Sequence, residues 1–506
     1  MLCKRGGTKF NISSTEIRDL EKIILKDPKK VNLSNRKKRI LDSSNFYADN
    51  RLKWKAKSKY FHKEDAKYLS FIIPKKSNIL EIGCGVGDLL ASLEPEKGVG
   101  IDISETMIAN AKKNFPQFEF LVGDIEIPES INKIEGTFDY ILLSDTIGYL
   151  DDCQYTLNLL HKFCKEETRI VVSYFSYFWQ PVLTFAEILK FKMPQVELNF
   201  LSTDDIRNLL LLADFDVVKE EWRQLLPLSF FGIGNIVNKY LATLPILRRL
   251  CLRNYIVGRS SKKAGREYKS CSVIVPCRNE RGNIENAVLR IPDFCDDLEI
   301  IFIEGHSEDG TYDEIKRIKS KYSEKKIKVL KQDGCGKANA VYKAFDNSSS
   351  EVLIILDSDL TVPPEQLGKF WNAIISGKGE YINGSRLVYP MEKDAMRFLN
   401  FMANQFFSVV FSWLLNQRYT DTLCGTKALS RSDYLRIKDN QSYFGNFDPF
   451  GDFDLIFGSS KLNLKMVEIP IEYKARVYGS TQIARFRHGL QLLKMVAHGY
   501  RKLKAF

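Results

Sequence analysis

The sequence predicts two α/β domains in tandem, and three observations predict it. The chain has 506 residues, too many for one hydrophobic core, since cores stop growing beyond roughly 250–300 residues. Two stretches, 45–257 and 271–482, each alternate short apolar runs of strand length with longer segments of helical period. That is the rhythm of a mainly parallel sheet covered by helices. Between them, residues 258–270 (GRSSKKAGREYKS) are charged, contain glycine, show no apolar period and read as a linker.

Composition supports folding of both parts, with 44% hydrophobic and 27% charged residues. The formal charge is +12, and the basic residues cluster at 29–39 and again at 485–504. Such blocks suit polyanions: nucleic acid, anionic lipid or phosphorylated substrates. Ten cysteines lie scattered without a CxxC pair, and five histidines are too dispersed for a zinc centre. A reducing, cytoplasmic compartment is therefore expected. Residues 1–10 are basic but lack an apolar core, so no signal peptide is expected there. No uninterrupted apolar stretch reaches the length of about 18 residues that a membrane span needs. Residues 1–44 read as a basic extension with a weak helical pattern around 17–25, and 483–506 as a basic amphipathic helix.

Each domain has its own chemical constellation. In the first, the strand-like NILEI of residues 78–82 runs into GCGVG at 83–87, then Asp88 and the helical LLASL. Glycines at alternate positions after a strand let the backbone pass close to a ligand. A dinucleotide fold would want its third glycine where Asp88 stands, so the G-x-G-x-G form argues against NAD. A second strand ends in Asp102, suited to ribose hydroxyls. A third ends in Gly123 and Asp124, placed to meet an adenine amine, and a fourth in Ser144 and Asp145. Asp145, Tyr149 and His161 are the candidates on the acceptor side, and residues 179–199 are a candidate cover for the pocket.

Over about residues 45–220 these strand ends resemble the class I methyltransferases that depend on S-adenosylmethionine (SAM). The resemblance implies a Rossmann-like sheet. It implies that Glu81, Gly83, Gly85 and Gly87 shape the methionine and ribose pocket, that Asp102 takes the ribose, and that Asp124 with Ile125 takes the adenine.

In the second constellation the strand SVIV of 272–275 leads into PCRNE at 276–280. EIIFI at 299–303 leads into EGHSEDGT, QDGCGK at 332–337 opens a helix, and VLIIL at 352–356 ends in DSD. Backbone amides and Lys337 at a helix start suit a phosphate. Two carboxylates flanking one residue at a strand end can grip a hard divalent ion, which in turn can bridge a diphosphate leaving group.

Over about residues 270–482 this series resembles the inverting GT-A glycosyltransferases of family 2, closest the dolichyl- or polyprenyl-phosphate sugar synthases. The resemblance implies that Pro276, Asn279, Glu280 and Glu304 line the nucleotide site and that Lys337 meets its phosphate. Asp357 and Asp359 would carry Mg²⁺ or Mn²⁺, Arg386 would stand near a phosphate, residues 421–425 would form the loop that follows the interface helix, and 476–480 a late loop that closes on the phosphates. The acid expected on the late helix is Asp452 or Asp454, with Asp454 taken as catalytic. Glu304–Gly305 stands where the family usually has paired aspartates, and Thr361 where a glutamine is often found.

The expected function is a bifunctional transferase of glycan or glycolipid assembly. It would take a nucleotide-sugar donor and a lipid-phosphate or lipid-linked glycan acceptor, and lie on an anionic membrane surface at the inner face of the cell membrane. Residues 398–415, 225–252 and the basic tail are the candidate lipid-facing segments. Two alternatives are a glycosyltransferase with a non-catalytic SAM-binding domain and an RNA-directed methyltransferase. No aromatic-basic stacking platform supports the latter, so no nucleic-acid partner is expected.

Overall fold

The computed structural model describes residues 33–196, 198–389, 398–445, 452–479 and 485–506. The helical pattern expected around 17–25 lies outside these residues. Two α/β sheets form, as expected, and each has seven strands among the described residues. The first comprises β1 (Ile79–Ile82), β2 (Gly98–Asp102), β3 (Glu119–Val122), β4 (Phe138–Ser144), β5 (Cys164–Phe175), β6 (Phe215–Arg223) and β7 (Arg253–Ser260). Their order is 3-2-1-4-5-7-6, and β7 runs antiparallel between β5 and β6. Alternate residues of the central strands enter separate apolar clusters on the two faces. Leu80, Ile82, Ile141 and Leu143 go to one, and Ile79, Tyr140 and Leu142 to the other. Burial on both faces is why these strands read as unbroken apolar runs.

The second sheet comprises β8 (Ser270–Cys277), β9 (Asp297–Glu304), β10 (Lys326–Lys331), β11 (Val352–Ile355), β12 (Tyr381–Ser385), β13 (Lys427–Ser430) and β14 (Met466–Pro470). Their order is 10-9-8-11-13-12-14, with β13 antiparallel to both neighbours. In both sheets the order reverses beside the first strand, between β1 and β4 and between β8 and β11. Such a switch point opens a crevice beyond the carboxyl ends of the strands, where ligands of α/β sheets bind.

The stretch read as a linker is shorter than its composition suggests. Gly258, Arg259 and Ser260 complete β7, paired with Ile170, Asp216 and Phe215. They look like linker because their environment is polar: Arg259 is buried, bonded to Asp216 at 3.0 Å and 3.7 Å from Glu380 of the second half. Both carboxylate oxygens of Glu380 also accept from Nη2 of buried Arg169 in β5, at 2.8 and 2.7 Å. Around this cluster the halves exchange hydrogen bonds. Arg169 Nε donates to Asn463 O (2.7 Å), Asn463 to Ile72 O (2.9 Å), Lys465 to Val217 O (2.7 Å) and Lys219 to Ser460 O (3.3 Å).

The boundary set at residue 45 also moves, because the helix Asn35–Tyr47, capped by Ser34, packs on the first half. The tail forms the helix Arg485–Leu503, but its buried side is Leu492, Met495 and Leu503, packed in the second core. Leu490 and Leu493, read as part of the lipid-facing side, point outward, whereas Lys504 is buried and bonded to Glu221 at 2.7 Å. Phe506 stacks on Phe71 of the first half with ring centres 3.8 Å apart. Among the described residues no helix is long and apolar enough to cross a membrane.

Candidate active sites

The first switch point opens into a cavity of about 620 Å³, within the usual range for small-molecule sites. The loop after β1 turns on three glycines with φ of +73°, +54° and +77° at Gly83, Gly85 and Gly87, a region that side chains rarely adopt. A Cβ at Gly83 would strike Thr146 and one at Gly87 would strike Phe120, while at Gly85 nothing lies within 4 Å. Gly85 thus faces the cavity, and Gly83 and Gly87 set the turn.

Asp102 fixes this loop. Its carboxylate accepts from Gly85 N at 2.8 Å and Ser104 N at 2.9 Å, and burial pushes its pKa up. Glu81 is buried, its pKa pushed well up by burial, and its Oε2 has no hydrogen-bond partner. Glu81, Gly83, Gly85, Asp102, Asp124 and Ile125 all line the cavity; Gly87 sits just behind it. The orphaned carboxylate oxygen, the open glycine and the volume together fit a ligand with cationic and hydroxyl groups, as SAM has.

Asp124 has partners within the protein as well. Its carboxylate is bonded to Lys37 Nζ at 3.0 Å and to the amide of Glu126 at 3.1 Å, and Lys37 also bonds Glu126 at 2.6 Å. The helix carrying Lys37 was read as an extension of unknown use, yet it closes this side of the cavity. Arg36 of the same helix donates to Gly148 O and Leu150 O, both at 2.9 Å. Arg51, Lys55 and His62 join the wall from the next two helices, Arg51–Lys57 and Lys59–Ile72. Lys55 pairs with Asp88 at 2.7 Å, and burial lowers His62 to about 4, so it is neutral near pH 7. Nothing but basic density marks these residues in the sequence.

On the acceptor side, Asp145 and Tyr149 line the cavity, as do Met193–Val196 of the expected cover. Asp145 has φ +62° and is paired with Arg253, which also holds Asp65 at 3.0 Å. Burial pushes Tyr149 up to about 12. His161 is not part of this site. It is buried between Ser260 Oγ (2.7 Å) and Ala213 O (2.6 Å) and stacked on Phe215, a packing role.

At the second switch point, β11 delivers Asp357 and Asp359, and each faces a cation. Lys337 Nζ lies 2.6 Å from Asp357. Burial opposes the charge on both groups, but their attraction wins, raising Lys337 and lowering Asp357. Arg476 bridges Asp359 at 2.7 Å and Glu280 at 3.0 Å. Thr361, which stands where the resemblance often has a glutamine, donates its amide and hydroxyl to Asp359 Oδ1 at 3.2 and 2.9 Å.

The residues expected on the nucleotide side flank this cluster and brace its loops. Glu304 accepts from Ser307 N at 2.5 Å, Asn279 accepts from Glu308 N at 2.9 Å, and Glu280 accepts from Asn283 at 2.7 Å. Pro276 stands in β8 opposite Ile303.

Two of the expected residues have further partners, and Arg386 stands close enough to the acid pair that its charge helps lower Asp357. Arg386 is locked to buried Asp421 by two bonds of 2.7 Å. It braces the 421–425 loop, whose Gly425 leaves no room for a Cβ against Asp357. Asp454 lines a separate cavity of about 220 Å³ with Tyr342, Asp346 and Tyr434. Asp452 is the acid near the pair: it lies 3.5 Å from Lys427 and its charge raises Lys337. The late loop is described through Gly479; Ser480 lies outside the described residues.

Among the described residues no group of three His, Cys, Asp or Glu forms a metal cage. The donor set fits the other kind of site, in which one or two carboxylates hold a hard cation and substrate phosphates complete its shell.

Comparison with known proteins divides the chain in the same way. Residues 54–220 match the family described as Methyltransferase domain, and residues 272–437 match Glycosyl transferase family 2. The dolichol-phosphate mannosyltransferase of Pyrococcus furiosus is 37% identical over 119 residues, 23% of this chain and 33% of that protein. The UDP-N-acetylglucosamine–dolichyl-phosphate N-acetylglucosaminyltransferase of Methanococcus voltae is 25% identical over 228 residues, 42% of this chain and 88% of that protein. The chain spans about a third of the length of the first curated relatives it matches. A solved SAM-dependent methyltransferase from Thermotoga maritima, described as a possible histamine N-methyltransferase, is 18% identical. It covers 44% of this chain and 99% of its own, with a TM-score of 0.34.

Proposed function

Because this chain joins a methyltransferase domain to a family 2 glycosyltransferase domain, we propose that it is a dual transferase of glycan or glycolipid assembly. The second half moves a sugar from a nucleotide-sugar donor to a polyprenyl-phosphate or lipid-linked glycan, the acceptor class named by the dolichyl-phosphate relatives. The first half binds SAM and methylates a product or precursor of the same route. The protein works peripherally at the inner face of the cell membrane.

The observation that carries the reading is the charge arrangement at the end of β11. Asp357 and Asp359 each face a cation, Lys337 and Arg476, in the crevice of the switch point. A bound Mg²⁺ or Mn²⁺, held by Asp357 and Asp359, would neutralise the charge that the leaving diphosphate gathers. Lys337 and Arg476 then turn to the phosphates, and Arg386 with Asp421 keeps the loop beneath them in place. Stabilising charge that develops in the transition state is usually the largest catalytic contribution.

In the first half SAM supplies an electrophilic methyl group. Glu81 and the Gly85 loop orient it, and the helix of Lys37 keeps water from the adenine end. A second reading, in which this half binds SAM without catalysis, draws on Asp145: its carboxylate is already engaged by Arg253.

The test is a pair of charge-removing variants. Asp357→Asn and Asp359→Asn should each abolish sugar transfer while SAM binding persists in calorimetry. EDTA should mimic them, and added Mn²⁺ should rescue the wild type only. Transfer that survives both EDTA and Asp359→Asn removes the reading.

A further inference from the structure

We propose that the methyltransferase half carries its own bilayer-seating surface, and that its methyl acceptor is an amphiphile that enters the donor cavity from an anionic lipid surface. The proposal rests on reading that cavity as the SAM site. It begins with the helix Gln180–Ile188, none of whose nine residues is buried. Phe185 and Ile188, three apart on one face, are 60% and 71% exposed. An amphipathic helix ordinarily turns such a face to the core; this one turns it outward.

A second outward segment lies beside it. Phe230 and Phe231 stand at the tip of the excursion between β6 and β7 with left-handed backbones, φ +42° and +51°, and Phe231 is wholly exposed. Ile246, further along, is 85% exposed. The two segments are tied together: Trp179 Nε1 donates to Leu250 O at 2.8 Å. The excursion continues onto the glycosyltransferase half, where Trp413 Nε1 donates to Thr243 O at 2.9 Å, and the Thr243 and Tyr500 hydroxyls are 3.0 Å apart. Trp413 belongs to the helix Phe398–Leu415, whose Val409 also faces outward. Exposed apolar side chains thus follow one another across both halves, and apolar surface of that extent on a soluble chain marks an interaction site.

Charge selects the occupant. Residues 224–252 contain no Asp or Glu but do contain Lys239, Arg248 and Arg249. Apolar tips among basic residues suit the headgroup and acyl boundary of anionic lipid. A second copy facing this surface across a two-fold axis would set like charge against like charge. Position selects the substrate class. Met193–Val196, a few residues beyond the outward helix, line the donor cavity. An acceptor anchored in lipid would therefore meet the cavity mouth where the protein meets the bilayer. In the transfer, an acceptor oxygen forms the new C–O bond, the S–C bond breaks with its electron pair left on sulfur, and the hydroxyl proton passes to water.

Two double variants test this: Phe230→Asp with Phe231→Asp, and Phe185→Asp with Ile188→Asp. All four side chains are exposed, so the core is spared. Sedimentation with vesicles of equal parts phosphatidylglycerol and phosphatidylcholine should carry down the wild-type protein. Each double variant should bind about tenfold less, with SAM affinity in calorimetry unchanged. Methyl label from SAM should enter the organic phase of a total lipid extract from the source cells, and the variants should lose that incorporation in proportion.

Wild-type protein that ignores the vesicles, or variants that bind them equally, overturn the surface. So do variants that only turn a dimer into a monomer in ultracentrifugation. Label that enters water-soluble extract at the same rate in wild type and variants overturns the acceptor class. Failure of SAM to bind at all overturns the reading of the cavity instead, and vesicle binding then still decides the surface.

Discussion

Gly425 offers the sharpest test of the glycosyltransferase site, because it touches the acid pair without carrying any chemistry. A Cβ built on it would lie 2.6 Å from Asp357 Cγ and 2.5 Å from Lys337 Nζ. The lysine tip can swing away at little cost, but the carboxylate sits at the end of buried β11. Its Oδ2 lies nearer still to the added Cβ, so the carboxylate would have to retreat by more than about 1 Å to reach ordinary van der Waals contact. Displacing a group by about 1 Å at a reacting centre can cost about 100-fold, equivalent to about 2.7 kcal/mol of barrier. Gly425 does not have a left-handed backbone, so alanine adds no strain of its own. Gly425→Ala should therefore keep its fold and its SAM affinity while sugar transfer falls about 100-fold. The assay first finds the donor nucleotide by thermal shift with a panel of nucleoside diphosphates and Mn²⁺, since a ligand that binds only the folded state raises its stability. Initial rates of sugar label entering lipid extract then follow. A rate within about threefold of wild type would refute the reasoning that a 1 Å displacement of Asp357 is costly there.

Other outcomes follow from the same geometry. Asp102→Ala should weaken SAM binding by about 1.5–3 kcal/mol, the range for hydrogen bonds to a charged group, and unchanged affinity in calorimetry would remove Asp102 from the site. Lys37→Met leaves Asp124 and Glu126 buried without their cation, which should destabilise the first half by about 3–5 kcal/mol in denaturant titration. Burial lowers Lys219 to about 7 and Lys461 and Lys504 to about 8, from 10.5. The folded chain thus binds fewer protons than the unfolded one between those values and 10.5, and thermal stability should rise with pH across that window. Lys219→Met should flatten the rise. Burial would raise Glu221, but Lys504 and Arg223 outweigh it and lower it to about 2. Its contribution is present above the ordinary value of 4.5 and should be lost as acid melts move the pH from 4.5 toward 2; Glu221→Gln should remove that acid-side loss.

The strand ends and glycine loops were legible in the sequence because buried parallel strands leave unbroken apolar runs and their switch-point loops need glycine. Partnerships over long separations were not. Nothing in composition tells that Arg386 serves Asp421, or that Lys37 reaches Asp124 across 87 residues. The sequence could not choose between Asp452 and Asp454 for a rotational reason: two residues along a helix turn by about 200°, so only one acid can face the pair, and helix rotation is set by packing. The stretch 258–260 misled because its buried side chain, Arg259, is a charged residue held by charged partners. The helices before β1 carry no pattern that distinguishes a cavity wall from a solvated surface.

The buried contact of Arg169 and Arg259 with Glu380 bears on how such a chain can be recombined. Ion pairs of this kind add little net stability over an apolar contact, yet removing one partner is costly. The halves are therefore not interchangeable parts. A chimera that grafts this methyltransferase onto another glycosyltransferase would inherit Arg169 without its acid and Arg259 with Asp216 alone, and the reciprocal graft a carboxylate with no cation. Shuffling by the visible domain boundary would fail where shuffling that also carries Glu380 and the Asn463–Lys465 turn would succeed. The heritable unit is the pair, and the seam between its members is written in charge.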